Sequence, residues 1–323
     1  MTTIIRLRAP GGVEQLERAT VELPAPAPRD IRVRQTAIGV NFIDIYQRMG
    51  MYPLNADAVP GAEAVGVVAA VGAEVSSLQV GDRIAYAGAP VGAYASERNL
   101  PAWRAVKLPD NLADETVASA LLKGITAHML LTKVYPVGEG TIVLVHSAAG
   151  GLGQSLARWA SHLGATVIGT VSTEAKAAIA RDAGAEHVIV GRDADFARDV
   201  AALTNGRGAD LAVDGVGGTT LAKTLGCVRP FGVVASVGQA GGPIPPIDVG
   251  DLGPKRSILL GRPSVMAYVN NADDYHRSAA AVLAALSAGM LKAEGRAYPL
   301  GDAAIAQSDL EAGRTSGSLY LVP

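Results

Sequence analysis

The residues best suited to chemistry by type and spacing are Ala148, Gly150 and Gly153, set as Ala-x-Gly-x-x-Gly. Gly150 lets a backbone approach a pyrophosphate, and Gly153 lets the following helix lie close on its strand. The helix start adds unpaired N–H groups and the positive end of its dipole. Such a turn works only between a strand and a helix. Both are predicted by the flanks: Thr141–Val145 reads as a strand buried on both faces, and Leu152, Leu156, Ala160 and Leu163 recur at helical spacing. An ordinary tight turn has the same look. Repeated strand–helix alternation after it, and suitable charge at the end of the next strand, favour a dinucleotide site.

That next strand selects the nucleotide. An NAD site usually places Asp or Glu there to accept from the ribose 2′-OH. Here the exit carries the small, neutral Ser172, with Lys176 in the first helical turn. Hydroxyl plus cation suits a 2′-phosphate, which a carboxylate would repel. Glu174 either points at the ribose or caps the helix, and capping is the better reading. Arg192, after the third strand, offers a second cation unless it is simply a solvated side chain. The expected cofactor is NADPH rather than NADH.

Positioning these groups takes two domains, which a chain of 323 residues can supply. Residues 1–120 read as mostly β, with strands at Arg32–Val40, Ala64–Val71 and within Val80–Tyr86, and two short ones around Arg98 and Asn99. Short strands broken by Pro and Gly suggest a partly open barrel. Residues 121–264 alternate, with strands at Thr166–Gly169, His187–Val190, Asp210–Asp214, Val233–Val237 and Ser257–Leu260 and helices such as Thr173–Asp182 and Phe196–Thr204. This predicts an α/β fold with a doubly wound parallel Rossmann sheet. Residues 265–323 carry a helix at Asp273–Ala288 capped by Asn271, a short helix at Ala303–Ala312 and a strand at Ser318–Val322. They are expected to dock back on the first domain, making it discontinuous.

Composition narrows the partners. Apolar residues are 49% and charged ones 18%, as in a globular chain, and a net charge of −2 gives no basic surplus for nucleic acid. One cysteine, Cys227, permits no internal disulfide. No signal peptide is evident at Met1–Arg8, and no apolar run approaches a membrane span. The expectation is a cytoplasmic protein with no membrane or nucleic-acid partner.

Three stretches together resemble one family: Asn41–Pro53, Leu122–Ala127 and the Ala148–Gly153 turn are similar to the zinc-free, zeta-crystallin-like quinone oxidoreductases of the medium-chain dehydrogenase/reductases. Weaker echoes at Pro60–Glu63, Gly81–Arg83, Asp214–Gly217, Arg262–Ser264 and Thr315–Gly317 follow in order. The resemblance implies a GroES-like catalytic domain, a Rossmann domain, a substrate cleft between them and a homodimer formed by edge pairing of the last Rossmann strand. Zinc-dependent relatives carry a Gly-His-Glu motif where this chain reads Gly61-Ala62-Glu63. Its five histidines show no ligand spacing, so nothing is present to polarise an alkoxide.

By carry-over, the catalytic candidates are Asn41, as donor to a developing oxyanion, and Tyr46 and Tyr52, to stack on the ring or give a proton. Their bland alternatives are a strand-end cap and half-buried core residues. Asp44 is expected to be structural. Matching also assigns cofactor contacts to Thr126 at the start of a domain-joining helix, to Ala149, Gly150, Gly151 and Leu152 at the pyrophosphate, and to Gly238 and Gln239 under the nicotinamide ribose. Ser264 and Gly317 are expected at the cofactor's far end, with Arg314 a neighbour. Where relatives often have tyrosine after the third strand, this chain has Gly191. The activity implied is NADPH-dependent reduction of a small-molecule quinone. The alternatives are reduction of activated C=C bonds in enones and a non-catalytic NADPH-binding role.

Overall fold

The computed structural model describes residues 1–323, and the chain forms two compact units, Met1–Ile125 with Met266–Pro323, and Thr126–Val265. The divisions fall inside a helix after Ile125 and at Met266, a few residues from the boundaries expected at 120 and 264.

The first unit begins with β1 (Thr2–Leu7) and β2 (Leu16–Val21), an antiparallel pair not expected from sequence. Then come β3 (Asp30–Val40), α1 (Phe42–Arg48), β4 (Glu63–Val71), β5 (Arg83–Ala87), β6 (Glu97–Pro101), β7 (Val106–Lys107) and α2 (Asp114–Met129). β3 is the spine. Its N-terminal half pairs with both β4 and β6, and its last residues pair with the closing strand of the chain. Burial along β3 matches this. Side chains alternate at first, then Ala37, Ile38, Gly39 and Val40 are all buried. Ile31, Val33, Ile38 and Val40 meet Val68, Ile84 and Leu100 in one core, each such side chain contributing roughly 1.5–3 kcal/mol.

The second unit holds β8 (Ile142–Val145), α3 (Gly151–His162), β9 (Thr166–Val171), α4 (Glu174–Asp182), β10 (His187–Val190), α5 (Phe196–Leu203), β11 (Ala209–Asp214), α6 (Thr220–Thr224), β12 (Val228–Ser236) and β13 (Leu259–Gly261). The six strands are parallel in the order β10-β9-β8-β11-β12-β13. The strand order therefore reverses between β8 and β11, and in such sheets ligands bind outside the carboxyl ends of the strands at that point. β12 starts earlier than expected, at Val228. Phe231 at φ +61° accompanies a break in its register with β11. β13 starts later, because Ser257 at φ +53° is left-handed and cannot continue a strand.

The chain returns to the first unit through α7 (Val265–Tyr268), α8 (Ala272–Ser287), β14 (Gly295–Pro299), α9 (Ala303–Glu311) and β15 (Ser318–Val322). Asn271 caps α8, its side chain accepting from the Asp274 N–H. The mixed sheet runs β14-β15-β3-β4-β5-β7 with β6 beside β3, so its two ends stay unpaired.

One expectation about apolar runs needs correction. α2 continues through a π-helical turn to Val134, and the stretch Asp114–Val134 is long and apolar enough to cross a membrane by length and composition. It is mostly buried within the protein.

Candidate active site

The phosphate-type turn is built from β8 outward. Val143, Leu144 and Val145 are wholly buried, which fixes the height at which the turn leaves the sheet. Ser147 takes φ +54°, the Ala148 N–H donates to the Thr170 carbonyl at 3.1 Å, and the Gly150 N–H donates to the Ser147 carbonyl at 2.9 Å. Gly150 is the N-cap of α3 and provides no side-chain cap. The N–H groups of Gly151, Leu152 and Gly153 thus have no partner within the helix. A Cβ on Gly153 would lie 2.3 Å from the Ser147 carbonyl oxygen and 2.7 Å from the Ala148 Cα, so only glycine seats the helix there. A Cβ on Gly150 would meet only the Ser147 oxygen, at 3.3 Å. This cradle of amides with little side-chain cover fits a pyrophosphate. Ala149 is buried beneath it, and Leu152 is partly exposed rather than fully on the buried face.

At the end of β9, Ser172 is partly exposed and Lys176 sits in the first turn of α4. The cap of α4 is Thr173, whose side chain accepts from the Lys176 N–H at 3.3 Å. Glu174 does not cap it, contrary to expectation, because the extended backbone of Thr173 makes that residue the N-cap. Arg192 is exposed two residues past β10. Gly191 before it takes φ +122°, a conformation that a tyrosine side chain would not adopt.

The turns after β11 and β12 pack backbone to backbone. The Val237 N–H donates to the Asp214 carbonyl at 2.8 Å and the Gly241 N–H to the Val216 carbonyl at 2.7 Å. A Cβ on Gly217 would come 2.7 Å from the Gln239 Cα. Gly238 is buried and Gln239 partly so. Arg262, of the Arg262–Ser264 motif, reaches the same turn. Its guanidinium donates to the Ser236 hydroxyl at 3.2 Å and the Gln239 amide oxygen at 3.5 Å. Ser264 is exposed just before α7.

In the first unit, Asn41 is the N-cap of α1, and its Nδ2 donates to Glu63 Oε1 at 2.7 Å. The amide expected to donate to a developing oxyanion thus has one of its two protons held by a carboxylate that is itself wholly buried. Glu63 also accepts from the Leu122 N–H at 2.7 Å and faces Lys123 Nζ at 3.5 Å. Gly39 makes room for this: a Cβ there would lie 2.4 Å from Glu63 Oε1 and 2.5 Å from the Ala118 carbonyl. Asp44 accepts from the Asn41 N–H at 2.9 Å and from the Tyr94 hydroxyl at 3.1 Å. Burial is the main cause that pushes its carboxyl up to about 7, against the pull of the Asn41 N–H. Asp44 thus has a structural position. Tyr46 is buried and meets Tyr52 edge-on with ring centroids 5.6 Å apart, while Tyr52 is partly exposed.

Thr126 lies in the last turn of α2, not at the start of a helix. The helix begins at Asp114, with Asp114 and Glu115 in its positive first turn as the start signal in the sequence. Gly317 takes φ +72° directly before β15, and Arg314 is paired with Asp309 at 2.8 Å. Ala62 is wholly buried, and no three His, Cys, Asp or Glu side chains gather as a metal-holding group.

Comparison with known proteins places this architecture. Residues 27–110 match the alcohol dehydrogenase GroES-like domain and residues 151–284 the zinc-binding dehydrogenase family. The chain is 41% identical to a 2-haloacrylate reductase of a Burkholderia species, over 97% of this chain and 96% of that protein. A quinone oxidoreductase structure from Pseudomonas syringae pv. tomato DC3000 superposes with a TM-score of 0.97 at 43% identity, covering all of both chains. The Escherichia coli quinone oxidoreductase complexed with NADPH gives 0.96 at 36% identity, over 99% of this chain and 100% of that one. The first unit is GroES-like and the second a Rossmann domain, and the chain belongs to the quinone oxidoreductases of the medium-chain dehydrogenase/reductase superfamily.

Proposed function

We propose that the protein binds NADPH and reduces quinones without a metal. The observation that carries the reading is the uncapped start of α3 at Gly150, with the glycine-only contact at Gly153 beneath it. The N–H groups of Gly151, Leu152 and Gly153 hold the pyrophosphate, backed by Ala149 and Gly150. Ser172 and Lys176 take the 2′-phosphate, with Arg192 as a second cation. Gly238 and Gln239 pass the nicotinamide ribose, and Thr126, Ser264 and Gly317 complete the cofactor set. Bound NADPH supplies a hydride from its nicotinamide C4.

The chain's own residues do the rest. Asn41 has two amide protons, and Glu63 occupies one. The other is the donor for the oxygen on which charge develops, already oriented before substrate arrives. Tyr46 and Tyr52 form the wall against which a flat ring stacks. Ala62, where zinc-dependent relatives have histidine, supports a reaction that proceeds by positioning and hydrogen bonding alone.

A homodimer fits the edge of the second unit, where β13 has no further neighbour and Leu259 and Phe231 are 53% and 72% exposed. Size-exclusion chromatography with light scattering tests it. A cytoplasmic location agrees with the lone Cys227, a buried thiol that burial pushes up to about 12.

A second reading is favoured by the Burkholderia relative: reduction of an activated C=C bond with the same cofactor contacts. Steady-state rates with NADPH against para-benzoquinone, phenanthrenequinone, cyclohexenone and a haloacrylate separate the two. Quinones are expected to turn over fastest. An enone or haloacrylate that outpaces every quinone overturns the first reading in favour of the second.

A further inference from the structure

Behind the phosphate turn lies a row of side chains, all but Thr170 buried, that no cofactor contact uses. His146, the residue after β8, is 6% exposed. Its Nδ1 lies 2.9 Å from the Thr170 hydroxyl at the end of β9, and its Nε2 lies 3.0 Å from the Thr224 hydroxyl on α6. Thr224 Oγ1 in turn lies 2.8 Å from Asp214 Oδ2 and 3.0 Å from the Thr220 carbonyl. Asp214 is wholly buried, and its other oxygen accepts from the Val216 N–H at 2.8 Å and the Gly217 N–H at 2.9 Å.

The direction of each bond follows from this chemistry. A carbonyl only accepts, and so does a carboxylate holding two N–H groups on its other oxygen. The single Thr224 proton is therefore spent on Asp214 or Thr220, and Thr224 must accept from His146. Nε2 carries the hydrogen. In a neutral ring Nδ1 is then bare, and it accepts from the Thr170 hydroxyl. A doubly protonated ring would turn Nδ1 into a donor and reverse the bond to Thr170.

We infer that His146 is a positioning residue: as the neutral Nε2–H tautomer it joins Thr170, Thr224 and Asp214 into a relay that holds the turns after β8 and β11 in register for the dinucleotide. Both turns flank the point where the strand order reverses. Thr170 grips the first turn twice, through its hydroxyl to His146 and its carbonyl to the Ala148 N–H. Asp214 grips the second through Val216 and Gly217, and its carbonyl takes the Val237 N–H before Gly238 and Gln239. The surroundings keep the ring neutral. Burial pulls its pKa down, Asp214 is the charge that pulls it up, and from α5 the Phe196 ring packs at 4.8 Å.

This inference rests on the NADPH reading above, and the test separates the two. Nitrogen-15 NMR of the histidines in wild-type protein is expected to show His146 as the neutral Nε2–H form at pH 7. An Nδ1–H tautomer or an imidazolium there overturns the relay. By calorimetry, Thr224→Val is expected to weaken NADPH binding about tenfold, and Thr224→Ser, which keeps the hydroxyl, to restore it. A Thr224→Val protein that melts lower yet binds NADPH as tightly as wild type reduces the row to ordinary packing and overturns the inference. Should that variant not fold, the tautomer decides. Wild-type protein that shows the tautomer but no NADPH binding overturns the cofactor reading, and with it the ligand that the relay is said to serve.

Discussion

Asn41 and Glu63 meet through a 2.7 Å hydrogen bond, the amide of the first donating to a carboxylate that solvent does not reach. Both oxygens of that carboxylate are occupied, one by Asn41 and Lys123, the other by the Leu122 N–H. The Glu63→Gln variant presents an NH2 group to one of these donors and leaves Lys123 without its counter-charge. Stability is expected to fall by about 2 kcal/mol in urea unfolding. Quinone turnover should fall with little change in NADPH affinity, because the disturbed amide is Asn41's. Unchanged turnover would mean that Glu63 does not set the orientation of Asn41.

Asp44 gives the fold a pH dependence of unusual sign for a carboxylate. Its pKa rises from 3.8 when unfolded to about 7 when buried. Between those values the folded protein holds a proton that the unfolded chain has released, so stability falls as pH rises through this window and levels off above it. Asp44→Asn removes the titration. The difference in urea midpoint between pH 4.5 and pH 8 should shrink in the variant, which should be the more stable of the two at pH 8. Equal slopes in both proteins would remove Asp44 from the account.

Gly153→Ala places a methyl group 2.3 Å from the Ser147 oxygen and 2.7 Å from the Ala148 Cα, both backbone atoms that cannot swing aside. The helix start must shift, and the amides of α3 with it. Calorimetry is expected to show NADPH affinity lowered about a hundredfold or lost, since several charge-assisted hydrogen bonds depend on that geometry. Retained affinity would show that the pyrophosphate does not sit on this turn.

Lys176→Glu sets a carboxylate in the first turn of α4, where it would repel a 2′-phosphate. The ratio of NADPH to NADH affinity should drop about tenfold or more, while NADH binding changes little. A ratio that does not move would assign the 2′-phosphate elsewhere, with Arg192 the next residue to replace.

Where periodicity was strong, the sequence was readable. The Rossmann strands from Ile142 to Asp214 stand within a residue or two of expectation, because strands buried on both faces leave unbroken apolar runs such as Ile142–Val145 and, between two aspartates, Leu211–Val213. The β1–β2 pair was invisible because the edge strand β2 has no buried residue, so its pattern carries no core signal. α1 was hidden for a related reason: its seven residues bury Asp44, Gln47 and Arg48 alongside Ile45 and Tyr46, so polarity does not mark its faces. The arginine is accommodated through Gln307 at 2.8 Å and Glu311 at 2.7 Å, both on α9 and far away in sequence. The glycine-only seat of α3 at Gly153 was legible in the turn itself. The site's polar cross-links were not. Glu63 holding Asn41, and Asp214 reaching His146 through Thr224, depend on which loops meet, and no spacing in one chain records that.

β15 pairs antiparallel with the end of β3 and parallel with β14, although nearly the whole chain separates β3 from β15. During synthesis the stretch Thr126–Val265 leaves the ribosome uninterrupted and can close on itself. The last residues of β3, Ile38 to Val40, must wait with one edge bare until residues 318–322 emerge. Nascent chains stalled before that point should therefore carry a finished nucleotide-binding half beside an adhesive, half-built one, and this is the interval in which a chaperone has most to protect.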